Sequence, residues 1–350
     1  MNKKLSNKLN QDLAHLSEDQ IDNLVLQAHY MRKRSGSKQG TMDDWVMRVI
    51  RKNQRTIEKA TDVLPATVAS VRAREILLEL ESGFLTIEPG NFQVVVGDLV
   101  STGILDGERR IVLVEERKTK LSRPEVKNAR QEQLIAANID VVVIVVSVVS
   151  PPLHPRLIDR YLVAVQNGGA LPVICVNKLD LLEDPAELAL LEPYRKIGVA
   201  VFDCSCKDLR GLPAMREALA GKTVVFVGHS GVGKSSLANA FAPELGLKTG
   251  KLSDGYGRGM HTTTTSSMHR LENGTTMIDT PGIRSFGLWD SGEDEIAAAF
   301  GEFAKYECKF RDCRHIAEPE CGVVAAVERG EIAQERYDTY RRMIGEVGSG

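Results

Sequence analysis

The sequence predicts a multidomain fold: a small β-barrel, then a parallel α/β domain, then a helical C-terminal domain. Three observations predict it. Residues 62 to about 123 carry short alternating apolar runs separated by Gly, Asn and Asp turns. From about residue 135 the rhythm becomes strand, helix, strand, the pattern of a parallel sheet covered by helices. Residues 291–350 read as helices around a group of Cys and His.

The bulk numbers bound this reading. A chain of 350 residues is long enough for two or three compact cores. Its 43% hydrophobic and 26% charged residues are ordinary for a soluble protein, and a net charge of -2 makes no global case for nucleic-acid binding, so any such surface is local. No stretch approaches the ~20 uncharged apolar residues of a membrane span. The longest apolar run, Val141 to Val149, is rich in Val and Ile and suits a buried parallel strand. The N-terminus has no apolar core and is not read as a signal peptide, so a cytoplasmic location and no membrane contact are expected. The six cysteines are then core residues, metal ligands or reactive thiols, not disulfides.

Each element follows in order. Residues 1–60 are polar and helix-like, with a break at Arg34 to Gly40 and an excess of basic residues. They read equally as a solvated helical arm or as a cationic tether for RNA phosphate. Residues 61–125 form the barrel, with an OB-type fold as first candidate and an SH3-like barrel giving a similar pattern. Residues 130–290 supply the α/β domain: strands at IDVVVIVVSVV, ALPVICV, VAVFDC and TVVFV, with a helix at PRLIDRYLVAVQN ending in Gly.

Gly228, His229, Ser230, Gly231, Val232, Gly233, Lys234, Ser235 and Ser236 fit the phosphate-loop pattern, with a strand before and a helix after. The glycines let backbone N–H groups turn inward at the positive end of a helix, where phosphate oxygens bind. Lys234 should reach the β- and γ-phosphates and serve catalysis, and the Ser235 hydroxyl should ligate Mg²⁺. Asn177, Lys178, Leu179 and Asp180 follow the strand LPVICV. A carboxylate at Asp180 can accept from the two N–H groups of guanine that adenine lacks, so it selects GTP. Asn177 can bridge toward the phosphate loop, and the Lys178 stem can cover the base. Ser205, Cys206 and Lys207 stand where a third guanine-contacting loop belongs, with Cys206 in the place of the usual Ala; a plain strand-end turn is the competing reading.

The base-reading loop precedes the phosphate loop, the reverse of the ordinary order. The α/β domain is therefore read as a circularly permuted P-loop GTPase domain, a rearrangement that a parallel sheet tolerates because loops can be cut and rejoined at its surface. Asp279, ahead of Thr280-Pro281-Gly282, should hold Mg²⁺ through water, and the Gly282 amide should contact the γ-phosphate. Upstream, the Gly-rich stretch from Gly255 leads into Thr262 to Thr265; Thr263, with its neighbours as alternatives, is the expected Mg²⁺ ligand. Ile283 occupies the position where many GTPases place Gln, so another polar group must orient water, and His261 is the candidate in reach. Cys308, Cys313, His315 and Cys321 gather four ligands within a short span, a closed tetrahedral set that predicts one structural Zn²⁺ and a helical zinc-binding domain over residues 291–350. Lys309, Arg311 and Arg314 add a basic edge to it.

Taken together, the barrel segment, the permuted GTPase order, the Cys/His knuckle and the stretches AANID, RLIDRYLVA, NKLD, GHSGVGKSSL, HTTTT and DTPGIRSFGLW resemble the RsgA (YjeQ) family of small-ribosomal-subunit-dependent GTPases. The resemblance runs from about residue 62 to about residue 345. It implies GTPase activity stimulated by the small (30S) subunit, a role in its late maturation, and 16S rRNA and other assembly factors as partners of a monomer. It also implies His261 for catalysis, Gly228 to Ser236 for phosphates, Asn177 to Asp180 for guanine and the Cys/His set for zinc. Residues 1–60 depart from it, being longer and more helical than the short basic tail the family suggests. Two other functions compete: a GTP-controlled binding switch with incidental hydrolysis, and an ATP-dependent phosphotransferase, against which Asp180 argues.

Overall fold

The structure, a computed structural model, describes residues 5–14, 21, 24–25, 27–29, 31–32, 40–72, 74–124, 132–243, 266–279 and 292–347. It divides into two compact units. One comprises residues 1–118 with 136–138 and 263–268; the other comprises the rest.

The first unit begins with helices. Ser6 caps the helix Asn7–Asp12, its Oγ accepting from Leu9 N at 3.2 Å. Thr41 and Asp44 form a capping box that starts the helix Met42–Lys59. Leu5, Leu9, Leu13, Val25, Ala28, Trp45, Val46 and Val49 pack into a core of their own. The solvated-arm reading is thus corrected: apolar residues at helical spacing bury one face of each segment.

The barrel follows as β1 (Thr61–Val71), β2 (Ile76–Leu80), β3 (Gly83–Ile87), β4 (Leu99–Leu105) and β5 (Glu108–Val114). All pairings are antiparallel. β1 lies between β2, with Thr67 opposite Glu79, and β4, with Ala66 opposite Val100; β2 pairs β3, and β4 pairs β5. Ala66, Val68, Ile76, Leu78, Val100 and Ile111 fill the interior. This is the OB-type barrel expected from the sequence. One strand is shorter than the pattern FQVVVGDLV suggests. Gly97 adopts φ +90°, and the Asp98 carboxylate accepts from Val95 N at 2.8 Å, so the chain turns before β4 can begin. Arg117 then reaches inward, Nε to Asp98 Oδ1 at 2.6 Å and Nη2 to Oδ2 at 2.8 Å, with both side chains almost fully buried. That bidentate grip ends β5 where the sequence pattern runs on.

The second unit is a doubly wound sheet. A small pair, β6 (Lys120–Pro124) and β7 (Glu132–Ala137), leads into β8 (Val141–Ser147), every residue of which is buried. The remaining strands are β9 (Leu171–Asn177), β10 (Ala200–Asp203), β11 (Thr223–Val227) and β13 (Thr276–Asp279), whereas most of β12 (Ser266–Arg270) belongs to the first unit, where Ser266 and Ser267 pair with Val71 and Ser70 of β1. Their order runs β10-β9-β8-β11-β13, and these neighbours are parallel. The polar composition of β12 hides it within the Thr-rich stretch of the sequence. Between β8 and β9 the crossover helix Pro155–Asn167 has Pro at its first turn and buries Ile158, Tyr161, Leu162 and Val165. Cys175 and Cys204 sit in the sheet core with Val145, Met215, Leu237 and Phe241.

The C-terminal helices Glu293–Ala299, Gly322–Glu328 and Gln334–Val347 pack against the crossover helix around Val163, Phe300, Phe303 and Tyr340. Arg336 is buried there. Its Nη1 donates to Asp159 Oδ1 at 2.6 Å, and its Nη2 donates to Glu302 Oε2 at 3.1 Å. Burial pushes the Asp159 carboxyl up to about 6, with the Arg336 guanidinium opposing.

Asp98→Ala should destabilise the barrel by about 3–5 kcal/mol, because it removes one partner of a buried, bidentate ion pair. Chemical denaturation of the full chain, followed for the barrel transition, measures this; a change under about 1 kcal/mol would contradict the pairing.

Candidate functional site

The chain passes from β8 to β9 and β10 on one side, then returns to place β11 on the other side of β8. The carboxyl ends of β9, β8 and β11 thus open onto a topological switch point, the place where doubly wound sheets hold ligands. Asn177 ends β9 and the Gly-rich loop follows β11, so both sequence motifs arrive at this crevice although β8 separates their strands.

The loop after β11 is built on backbone that only glycine adopts. Gly228, Gly231 and Gly233 have φ of +145°, +87° and +90°. A Cβ on Gly228 would lie 2.2 Å from the Val145 carbonyl oxygen, and one on Gly233 would lie 2.5 Å from Asn177 Nδ2. Val232 is buried and anchors the loop, while His229, Ser230 and Gly231 are exposed at its tip. Lys234 opens the helix Lys234–Phe241, and its Nζ donates to the carbonyls of Gly228 at 2.8 Å and His229 at 2.6 Å. The ammonium therefore lies inside the loop. Ser235 and Ser236 stand exposed at the helix start.

Three separate stretches of chain are tied together here. Asn177 is buried, and its Nδ2 donates to the Val232 carbonyl at 3.0 Å, joining the end of β9 to the Gly-rich loop after β11. The Cys206 thiol donates to Asn177 Oδ1 at 3.3 Å and so orients that amide. Burial pushes the Cys206 thiol up to about 11, which keeps it a neutral donor. Ser205 Oγ donates to Asp180 Oδ1 at 2.9 Å and accepts from Lys207 N at 3.2 Å. Leu179 N donates to the Cys204 carbonyl at 3.1 Å. Lys178 sits in the left-handed region at φ +63°, with Nζ donating to the carbonyls of Ser150 at 2.6 Å and Val149 at 3.3 Å. Burial lowers the Lys178 pKa, and the Asp180 carboxylate opposes the shift.

Asp279 ends β13, which pairs β11, and its side chain is exposed. His261, Thr263, Gly282 and Ile283 lie outside the described residues. Sequence reasoning missed the Val149 and Ser150 carbonyls that hold Lys178; the Ser-Pro-Pro step after the apolar run was the available signal. It also missed that Cys206 bonds to Asn177, for which no local pattern speaks.

Near the C-terminus, Cys308, Cys313, His315 and Cys321 bring their ligand atoms within 4.8 Å of one another. Cys308 Sγ lies 3.8 Å from Cys321 Sγ and 3.4 Å from His315 Nδ1, and Cys321 Sγ lies 3.5 Å from the same nitrogen. A tetrahedral zinc with ordinary bond lengths places two thiolates about 3.8 Å apart and a thiolate and imidazole about 3.5 Å apart, so the four groups fit that ion. The frame is rigid. Tyr337 and Tyr340 hydroxyls donate to the carbonyls of His315 at 2.8 Å and Arg314 at 2.7 Å. Burial pushes the Glu318 carboxyl up, but the N–H groups of Ile316, Arg314 and Ala317 outweigh it and hold the carboxyl at about 2. Of the basic residues on this knuckle, Lys309 pairs with Glu320 and Arg314 with Glu293.

Residues 114–289 match the RsgA GTPase family. A protein of Pseudomonas putida named small ribosomal subunit biogenesis GTPase RsgA is 43% identical over 242 residues, covering 68% of this chain and 70% of that protein. The chain belongs to the RsgA GTPase family. The RsgA of Chromohalobacter salexigens is 44% identical over 256 residues, covering 72% of this chain and 74% of its own. Among solved structures, YjeQ from Thermotoga maritima is 32% identical with a TM-score of 0.65, covering 81% of this chain and 98% of that one. YloQ, described as a circularly permuted GTPase, is 30% identical with a TM-score of 0.65, covering 83% of this chain and 96% of that one. This chain likewise has a circularly permuted P-loop GTPase domain, as the order of its motifs along the sheet requires.

Gly228→Ala should destabilise the fold by at least about 1–3 kcal/mol, the cost of a strained backbone position, because the new Cβ meets the Val145 carbonyl head-on. Thermal unfolding beside Gly301→Ala, whose backbone is outside the left-handed region and whose added Cβ meets no atom within 4 Å, provides the comparison; equal midpoints would contradict the loop geometry.

Proposed function

We propose that this chain is a Mg²⁺-dependent GTP hydrolase acting in late maturation of the small (30S) ribosomal subunit, stimulated by the subunit and its 16S rRNA. The observation that carries the reading is the set of bonds joining residues 177–180, 205–207 and 228–236 at one crevice, Asn177 to Val232 above all. The names of the relatives support the ribosomal part. On this reading residues 1–60 are an N-terminal extension, 61–125 the OB-type barrel, 130–290 the permuted GTPase domain and 291–350 the zinc domain. The protein acts as a cytoplasmic monomer, with other assembly factors among its partners.

The chemistry follows from charge and position. Asp180, held by Ser205, accepts from guanine, and Asn177, Lys178, Leu179, Cys206 and Lys207 wall the base. Backbone N–H groups from Gly228 to Ser236 cradle the phosphates, and Lys234 neutralises charge that builds on the β- and γ-oxygens. Ser235, Thr263 and, through water, Asp279 would hold Mg²⁺, which supplies electrostatic clamping of the β- and γ-phosphates when bound. Gly282 contacts the γ-phosphate. His261 orients the attacking water, a role Ile283 lacks the polar atoms to fill. Cys308, Cys313, His315 and Cys321 hold one Zn²⁺ that cross-links the C-terminal domain and leaves no open position for catalysis.

Turnover measured with and without purified small subunits tests the whole reading. Low intrinsic GTP hydrolysis should rise by an order of magnitude or more on adding subunits, while ATP is not turned over, and Lys234→Ala should lower kcat/KM by about 10²-fold or more. GTP hydrolysis that subunits leave unchanged would favour a binding switch with incidental hydrolysis. Elemental analysis should find one zinc per chain; Cys313→Ser should lose it and lower the thermal midpoint while GTP binding persists. A zinc-free wild-type protein that stays fully folded would contradict the structural ion.

A further inference from the structure

The nucleotide crevice makes no use of the N-terminal helical core, and the charge of that core is lopsided. Residues 1–60 hold twelve Lys and Arg against seven Asp and Glu, in a chain whose net charge is -2. The helix Met42–Lys59 concentrates this. Trp45, Val46 and Val49 are buried in the helical core, while Arg48, Arg51, Lys52, Arg55 and Lys59 are all exposed. Spacings of three and four residues put these five cations on one face, within an arc of roughly 100° and along roughly 16 Å of helix axis.

The acids of the same helix offset only its first cation: Asp44, one turn before Arg48, interacts with it, and Arg51, Lys52, Arg55 and Lys59 lie beyond that pair. Asp43 accepts from Ser6 N at 3.1 Å, and Asp44 is engaged in the capping box with Thr41. Glu58 borders the stripe at its C-terminal end. Among the described residues Arg51, Lys52, Arg55 and Lys59 take part in no ion pair. A helix face shaped only for solubility intersperses opposite charges, since like charges three and four apart repel. Here they are stacked, so the face is stable only at a cost that an anionic partner would remove. The Arg48 guanidinium lies over the Trp45 ring, its Cζ 4.7 Å from the centroid, a cation–π contact that restrains it. With Thr56, the five cations line a shallow groove of about 450 Å³.

We infer that this face of the helix Met42–Lys59 docks the phosphate backbone of ribosomal RNA, an inference that rests on the small subunit being the partner of this chain. Three arginines suit bidentate contact with phosphate oxygens. A lipid surface fits poorly, because the apolar side of the helix is committed to the core, and Ile57 is the one large apolar residue that the helix exposes.

The test uses full-length protein. A variant carrying Arg51→Gln, Lys52→Gln, Arg55→Gln and Lys59→Gln is compared with wild type and with Arg51→Lys, Arg55→Lys. Binding to purified small subunits, to protein-free 16S rRNA and to phosphatidylglycerol vesicles is measured from about 50 to about 200 mM KCl. The slope of log Kd against log salt should fall by about 3 in the Gln variant, four cations at about 0.7–0.9 each, on subunits and on bare rRNA alike. The Arg→Lys variant should keep the wild-type slope, and all three proteins should bind a fluorescent GTP analogue equally. An unchanged slope in the Gln variant overturns the inference. So does a slope change confined to intact subunits, which assigns the face to an acidic protein, or one confined to vesicles, which assigns it to lipid. The two failures read differently: wild type that subunits do not stimulate sinks the functional reading, whereas stimulated wild type with an unaltered slope in the Gln variant sinks only the docking face.

Discussion

The hydrogen bond from the Asn177 amide to the Val232 carbonyl is the constraint on which the rest of the site depends. It crosses β8, joins loops from β9 and β11, and does so in a buried position where an unmade bond is expensive. Gly233 cannot carry a side chain because this amide occupies the space. Cys206 is turned toward the same amide, and Ser205 beside it fixes Asp180. One side chain thereby sets the relative position of a carboxylate on one strand end and a cradle of amides on another.

The sheet explains why permutation leaves this intact. Contacts at the crevice depend on which strands are neighbours and on the direction in which they run, and β9-β8-β11 keeps both whatever the chain order. What changes is the neighbourhood of the ends. The crossover helix Pro155–Asn167, which links β8 to β9, also receives the C-terminal helices through Asp159, Val163 and Arg336. The Cys/His knuckle is built on those helices, with Tyr337 and Tyr340 holding its backbone. A packed path therefore runs from the knuckle to the sheet.

Much of this was legible in the sequence wherever local chemistry decides structure. The phosphate loop declared itself because glycines at fixed spacing are required by positive φ, and the knuckle because four soft ligands crowd a short span. The OB-type barrel was visible from its alternation, but the strand ends at Gly97 and Val114 were not, since Asp98 and Arg117 find each other across the intervening β4 and β5. The helical core of residues 5–49 was hidden by a polar average composition, although Leu5, Leu9 and Leu13 already share one helical face. The Cys206 bond was out of reach for a different reason: it depends on where two loops meet, which no single segment encodes.

The position of β11 after β9 also matters while the chain is being made. β8 emerges with both long edges bare, and β9 covers one of them within a few dozen residues. The opposite edge waits until β11 has left the ribosome, roughly 2–10 s after Asp180 at ordinary rates of elongation. Over that interval a strand apolar in all but its last residue, Ser147, presents unpaired amides to its surroundings. The nascent half already carries Asp180 and Asn177 but not the Gly-rich loop that Asn177 bonds to. Completion of the crevice is therefore a late event in the birth of this protein, and it coincides with pairing of the second edge of β8.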